Sequence, residues 1–368
     1  MKKLLLSICL VMFCLMQAKA QEPQFVSTEQ SNRNVLIEEL TGRKCEYCPW
    51  GQYFVNQIIK ENPGKVFTVN IHKQSSLSPT TYPNLNTAEG GDIATAFNTT
   101  GALPRAMVNR SKEEAVGLNT IQNYWNSMSL EQLAQVAECN IAGTVSIDTD
   151  ARLAKITVEV YYTGDSKAEN NYLTVLMMQD SIMGDQVGAD YNSEQVIEGQ
   201  YCHMHVLRDV VTSTWGDEIA PTTAGTLITK TYEYSIPAKI GSPNGVEVDL
   251  NNIHFLAFVA ENNASGSMSM PILNVCKLKH VEDNVSVKET VETSVNIYPN
   301  PVKDVLTIAT DNVKQVVMYN SLGQVVKTVR CDDRNISINV SDLENGMYFV
   351  NIIDNEGNVA TNKVSVLK

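Results

Sequence analysis

At 368 residues, 43% hydrophobic and 19% charged, the chain is too long for one ordinary core and suits two or three domains. A formal net charge of −13 repels phosphate backbones and argues against a nucleic-acid partner. Past the leader, no stretch holds about 18 continuous apolar residues, so no transmembrane segment is expected in the mature chain.

The chain opens Met1-Lys2-Lys3, runs through an apolar stretch from Leu4 to Met16 and reaches Ala18-Lys19-Ala20. A basic start, a short apolar core and an Ala-x-Ala site mark residues 1–20 as a secretory signal peptide, with mature protein from about Gln21. Cys9 and Cys14 leave with it, and the loss of three lysines takes the net charge from −13 to about −16. Cys45, Cys48, Cys139, Cys202, Cys276 and Cys331 remain. An exported chain meets oxidising conditions, where pairing is favoured. A Cys45–Cys48 disulfide is the expected local pair, and Cys139–Cys276 is a second candidate that would tie the two ends of the middle segment, with buried free thiols at Cys139, Cys276 and Cys202 as the alternative.

Residues 34–136 read as an α/β domain. The apolar run 35–40 is a strand, and Cys45-Glu46-Tyr47-Cys48-Pro49-Trp50 opens a helix that Asn62-Pro63-Gly64 stops near Glu61. Residues 66–71 form a second strand, giving a parallel pair across the helix. Residues 73–91 are loop-like, 92–97 a short helix, 106–108 a strand, and 119–136 an amphipathic helix with Ile121, Tyr124, Trp125, Met128, Leu130 and Leu133 available for burial. A helix N-terminus beside Cys45 favours its thiolate, the nucleophilic form; Arg43 and Lys44 assist and Glu46 opposes. Cys48 lies one turn on, placed to form or resolve a disulfide. A zinc site would want a second Cys or His pair at finger-like spacing, and none is present.

This strand, Cys-x-x-Cys and helix, with Gly101-x-Leu103-Pro104 before a further strand, resembles the thioredoxin-like proteins. The resemblance implies that Leu103–Pro104 is cis and lies against the cysteines. It also implies that Glu39, six residues before Cys45, is a buried acid relaying protons to Cys48. Cys45, Cys48, Glu39 and Pro104 would then be catalytic, with Leu103 and Trp50 contacting a protein or peptide substrate. Glu46-Tyr47 in place of Gly-Pro, and Lys44 in place of Trp, leave redox direction open. An outward strand carboxylate at Glu39, and a structural disulfide on a binding scaffold, are the competing readings.

Residues 137–282 turn to strand patterning at 141–147, 153–162, 172–179, 203–211, 227–236, 253–261 and 272–277, an antiparallel β-sandwich. No metal is expected. His203 and His205, sharing one face of a strand, are the weak candidates. Asp180-Ser181-Ile182 resembles the O-glycosylation acceptor of exported Bacteroidetes proteins, which would place a glycan on Ser181.

Residues 283–293 are a polar linker. In 294–368, Tyr298-Pro299-Asn300-Pro301, Tyr319-Asn320-Ser321-Leu322-Gly323, Asn345-Gly346-Met347-Tyr348 and Lys363-Val364-Ser365-Val366-Leu367-Lys368 punctuate a small β-sandwich. Together they resemble the type A C-terminal sorting domain of the type IX secretion system, which is immunoglobulin-like. That implies passage through the periplasm, recognition by the translocon and sorting machinery, and residence at the outer membrane or cell surface, or secretion. Residues 34–282, on the Cys45-x-Tyr47-Cys48-Pro49-Trp50-Gly51 turn, the Leu103-Pro104 element and His203-x-His205-Val206-Leu207-Arg208, resemble the Omp28-related outer membrane proteins of Bacteroidetes. The fold class is therefore multidomain α/β plus all-β: thioredoxin-like, β-sandwich, then immunoglobulin-like tail. The expected function is thiol–disulfide exchange at the surface without a cofactor, or alternatively a non-catalytic adhesin or receptor.

Overall fold

The computed structural model describes residues 23–97, 102–112, 120–261, 270–281, 296–309, 313–320, 325–330, 335–354 and 359–368. The signal peptide, the 283–293 linker and Cys331 lie outside the described residues. The chain divides into two compact units, residues 1–283 and 284–368.

The first unit begins with β1 (Val35–Thr41), α1 (Cys48–Glu61), β2 (Val66–His72), α2 (Ala88–Ala96), β3 (Arg105–Val108) and α3 (Gln122–Leu133). Then follow β4 (Cys139–Asp148), β5 (Leu153–Tyr162), β6 (Asn171–Gln179) and β7 (Ile182–Gly184). A 3-10 segment, Ala189–Gln195, leads to β8 (Val196–Ile197), β9 (Gln200–His203), β10 (Val206–Val210) and β11 (Asp217–Ile219). The unit closes with β12 (Leu227–Ser235), β13 (Lys239–Ile240), β14 (Val246–Glu247), β15 (Ile253–Glu261), β16 (Ile272–Lys277) and β17 (Lys279–His280).

One sheet organises this unit, in the order β16-β15-β6-β10-β2-β1-β3, with β11 on β6. β1 and β2 run parallel and β3 antiparallel to β1, as the helical crossover between the first two requires. Alternation along each strand sorts side chains to two faces. Leu36, Leu40, Leu176, Met178, Leu256 and Phe258 share one face with Ile93 and Ala94 of α2 and with Phe97, which caps it. On the opposite face, α1 and α3 cover one end through Val55, Ile58, Trp125 and Met128. The other end packs on a second sheet, β12-β5-β4-β17, whose Val145, Ile156, Val158 and Val160 meet Val175, Met177, Phe255 and Ala257. Burial of each such side chain contributes roughly 1.5–3 kcal/mol.

Two sequence expectations change here. The boundary expected at 136/137 is not a structural break. β6, β10, β15 and β16 extend the sheet begun by β1–β3, and β10 joins it at the register Val206↔Asn70. The expected sandwich therefore shares one of its two sheets with the helical end. The strand expected over 203–211 is split: β9 ends at His203, His205 takes φ 55, and β10 starts at Val206.

In the second unit, Asn296–Tyr298, Val305–Ala309 and Asn335–Asn339 form a three-stranded sheet. Val313–Tyr319, Val325–Arg330, Gly346–Asp354 and Val359–Val366 form a four-stranded one. Leu306, Ile308, Val316, Met318, Val350 and Val364 make their common core.

Candidate functional site

β1 ends at Thr41, and Pro49 in the first turn starts α1. Proline suits that place because its missing N–H would have no partner there. Tyr47 caps the helix without a side-chain hydrogen bond, leaving the N-terminal backbone N–H groups free for the cysteine turn. Cys45 is held below the ordinary thiol range. The Cys48 thiol donating to its sulfur is the largest cause, and the N–H groups of Tyr47 and Cys48 add to it against burial and the Glu46 charge. Cys48 moves far the other way, through burial, its donated bond to Cys45 and the charge there, with only Thr41 pulling it down. One thiol is therefore primed and its neighbour protected.

Opposite the pair, Leu103–Pro104 is cis, and the Cys45 thiol lies 3.4 Å from the Leu103 carbonyl it donates to. A Cβ on Gly51 would come within 2.8 Å of the Pro104 ring and 3.0 Å of Glu39 Oε1. Glycine at this helical position thus allows α1, Pro104 and Glu39 to close on one another. Glu39 is fully buried, neither carboxyl oxygen has a hydrogen-bond partner, and burial with the nearby Cys45 charge raises its pKa well above the usual range. It is not the outward carboxylate of the competing expectation. Its neighbour Glu38 faces the other side and is also buried. Arg110 binds it at 2.6 and 2.7 Å, with the guanidinium over Phe97 and Phe258. That pair left no sequence signal, because its partners are 72 residues apart.

Several expected details are corrected. Cys45 and Cys48 are free thiols in this structure, the reduced form of the expected pair. Cys139 and Cys276 are also free and buried, and burial pushes both up to about 12. Arg43 and Lys44 do not serve the thiolate: both bind Asp185. Arg43 also donates to the Thr81 carbonyl and hydroxyl at 2.8 and 2.9 Å.

Cys45 itself is only 4% exposed. Residues 185–191, which carried no motif, lie against the cysteine turn. Val187 N–H donates to Arg43 O at 2.9 Å, and Gln186 Nε2 donates to Gly42 O at 3.2 Å and Cys45 O at 3.0 Å. Gly188, at φ 73, approaches so closely that a Cβ would sit 1.9 Å from the Glu46 carbonyl. Tyr191 continues this contact, its ring 5.7 Å from Tyr47 and 6.3 Å from Trp50. Trp50 is 38% exposed and, with Tyr47 and Tyr53, leaves an aromatic face beside the pair.

His203 and His205 do not share a face. His203 is buried against His72 and Tyr201 and is pushed down to about 4, chiefly by burial. His205 is half-buried beside Asp180. Ser181 is exposed, at φ 61. Among the described residues, no helix is long and apolar enough to cross a membrane.

Fold and site together define a β-rich protein carrying a buried dithiol at a helix start. The profile of the outer membrane protein family Omp28 matches residues 92–284, more than half of the chain, and the chain belongs to that family. The secretion-system C-terminal sorting domain matches residues 296–367. The protein is therefore exported to the outer membrane or cell surface, or secreted, and its tail engages the secretion machinery. Among solved structures, HBP35 of Porphyromonas gingivalis shares the fold, with a TM-score of 0.55 at 18% identity over 92% of this chain and 99% of that one. A domain of the outer membrane lipoprotein Omp28 from the same organism matches 40% of this chain and 90% of that one, with a TM-score of 0.25 at 18% identity. Beta-agarase A of Zobellia galactanivorans is 37% identical over 71 residues, and ulvan lyase NLR42 of Nonlabens ulvanivorans 33% over 85. The chain spans only 13% and 16% of those two enzymes.

Proposed function

We propose that this outer-membrane-associated protein carries out thiol–disulfide exchange on exported proteins, through a thioredoxin-like site formed by Cys45, Cys48, Glu39 and Pro104. The Cys45 thiolate attacks one sulfur of a substrate disulfide, forming a mixed disulfide and releasing the other substrate sulfur as thiolate. That step removes the charge on Cys45. Glu39, raised partly by that charge, gives its proton to the released substrate thiolate and, now ionised, takes the proton of Cys48. The Cys48 thiolate attacks the Cys45 sulfur, a Cys45–Cys48 disulfide forms, and the second substrate thiolate leaves with the proton Glu39 carried. Two electrons have passed to the substrate, and an external dithiol must return them. Leu103 and Pro104 on one side, and Trp50 and Tyr47 on the other, offer an edge for an extended peptide.

The observation that carries this reading is the opposite perturbation of two adjacent thiols at one helix start, with an unpartnered carboxyl buried beside them. Reduction of insulin by the dithiothreitol-reduced mature chain tests it. Turnover above the uncatalysed rate that disappears in Cys45→Ser supports exchange, and background turnover in the wild type opposes it.

A second reading, a surface adhesin or receptor whose thiols are structural, is favoured by the 4% exposure of Cys45 and the exposed aromatic face. It predicts that Cys45 resists iodoacetamide in the folded protein, while Trp50→Ala and Tyr47→Ala weaken ligand capture.

A further inference from the structure

Away from the thiols, three strand ends converge at one end of the large sheet. β10, β6 and β15 are neighbours, and Gln179, the last residue of β6, pairs with both Val206 and Ile253. This register sets Asp180, His205 and His254 side by side, although they are 25 and 49 residues apart in sequence. His205 Nδ1 lies 3.2 Å from Asp180 Oδ1, and His254 Nδ1 lies 3.5 Å from Asp180 Oδ2. One donor atom from each of the three residues falls within 4.8 Å of the others.

We infer that Asp180, His205 and His254 form a binding site for a divalent transition-metal ion. Imidazole nitrogens and carboxylate oxygens sit about 2.0–2.2 Å from zinc, so two ligands at a tetrahedral angle lie about 3.3–3.5 Å apart. The two carboxylate–imidazole spacings are close to those edges, and the third edge is at most 4.8 Å. Each Asp180 oxygen faces a different imidazole, and the two rings stand nearly perpendicular, at 84° with centroids 5.8 Å apart. The backbone also holds the cluster. His205 N–H donates to Asp180 Oδ1 at 2.6 Å and Asp180 N–H donates to Asn252 O at 2.9 Å. Ser181 and His205, both non-glycine, adopt φ of 61 and 55, in the left-handed region where strain gathers at functional sites.

A cavity of about 400 Å³ opens beside Asp180 and His254, also lined by Asn251, Asn252, Lys277 and His280. It leaves room for water or a substrate atom on the metal, as an open three-ligand site requires. Two imidazoles with one carboxylate suit Zn²⁺, Cu²⁺ or Fe²⁺ over Mg²⁺ or Ca²⁺. Lys277 opposes any cation here, so Lys277→Gln should tighten binding a few-fold.

Zinc alone is the probe, titrated calorimetrically into the EDTA-stripped Cys45→Ser/Cys48→Ser chain so that the dithiol cannot compete. The expected result is one ion per chain at micromolar or lower Kd, tighter for Cu²⁺ and weaker for Mn²⁺. His205→Ala and Asp180→Asn should each weaken it at least tenfold, with absorption-edge spectra showing two imidazole ligands. His205 is partly exposed, so its variant reports on the site even where His254→Ala fails to fold. Absence of binding at 100 µM, or binding unchanged in His205→Ala, would overturn the assignment and leave two imidazoles hydrogen-bonded to a carboxylate.

Discussion

The two ends of the large sheet bury cysteines to opposite effect. At the helical end, Cys45 is nearly covered yet its thiol is lowered; at the sandwich end, Cys139 and Cys276 are covered and pushed up to about 12. Burial is common to all three, so burial does not decide reactivity. The difference lies in donors. Cys45 receives a thiol and two backbone N–H groups at a helix start, whereas Cys139 sits on β4 in the apolar core with Tyr162 and Leu173, beside the charge of Glu138. Adjacent residues of β1 repeat the lesson. Glu38 has a guanidinium, whereas Glu39 has no hydrogen-bond partner and is raised by burial and the Cys45 charge.

The largest expected effect comes from breaking the compensated side. Arg110→Ala would leave Glu38 buried and unpaired, and should cost about 3–5 kcal/mol in a urea melt. Arg110→Ala with Glu38→Gln should recover part of that loss. Next is Glu39→Gln. A carboxyl whose folded pKa lies above its unfolded value contributes stability below the unfolded pKa, near 4.3, and loses it as pH rises through the folded pKa. Wild-type Tm should therefore fall from pH 5 toward neutrality more than that of Glu39→Gln. The same variant should slow insulin reduction by about tenfold, since general acid–base help is typically worth 10²–10⁴ and solvent replaces part of it. The smallest effect belongs to Cys139→Ala, about 1 kcal/mol from one buried group and no change in exchange rate.

Much of this frame was legible in sequence. The valine, isoleucine and leucine runs located β1, β2, β5 and β15 to within a residue or two, and Cys48-Pro49 and Asn62-Pro63-Gly64 bracketed α1. Cys45 and Cys48 were reachable because they lie in one local motif, and the cis Leu103–Pro104 bond only through the resemblance to thioredoxin-like proteins. The continuity of the sheet was not. Strand periodicity tells which face a residue takes and not which strand it pairs with, so the change of composition near 137 passed for a boundary. For the same reason His203-Met204-His205 suggested one shared face, while the left-handed turn at His205 sends its ring to Asp180 and His254. The 185–191 segment gave no signal, because it is held by Gln186 and a glycine rather than by an apolar pattern.

The account rests on Cys45 being the activated sulfur, and the pH profile of its alkylation by iodoacetamide in the folded, reduced chain tests that most directly, with the modified residue identified by peptide mapping. The account predicts modification of Cys45 alone, with a midpoint below the free-thiol value of about 8.5 and with Cys48, Cys139 and Cys276 untouched. A midpoint at or above that value, or a Cys45 that reacts only after unfolding, would contradict it.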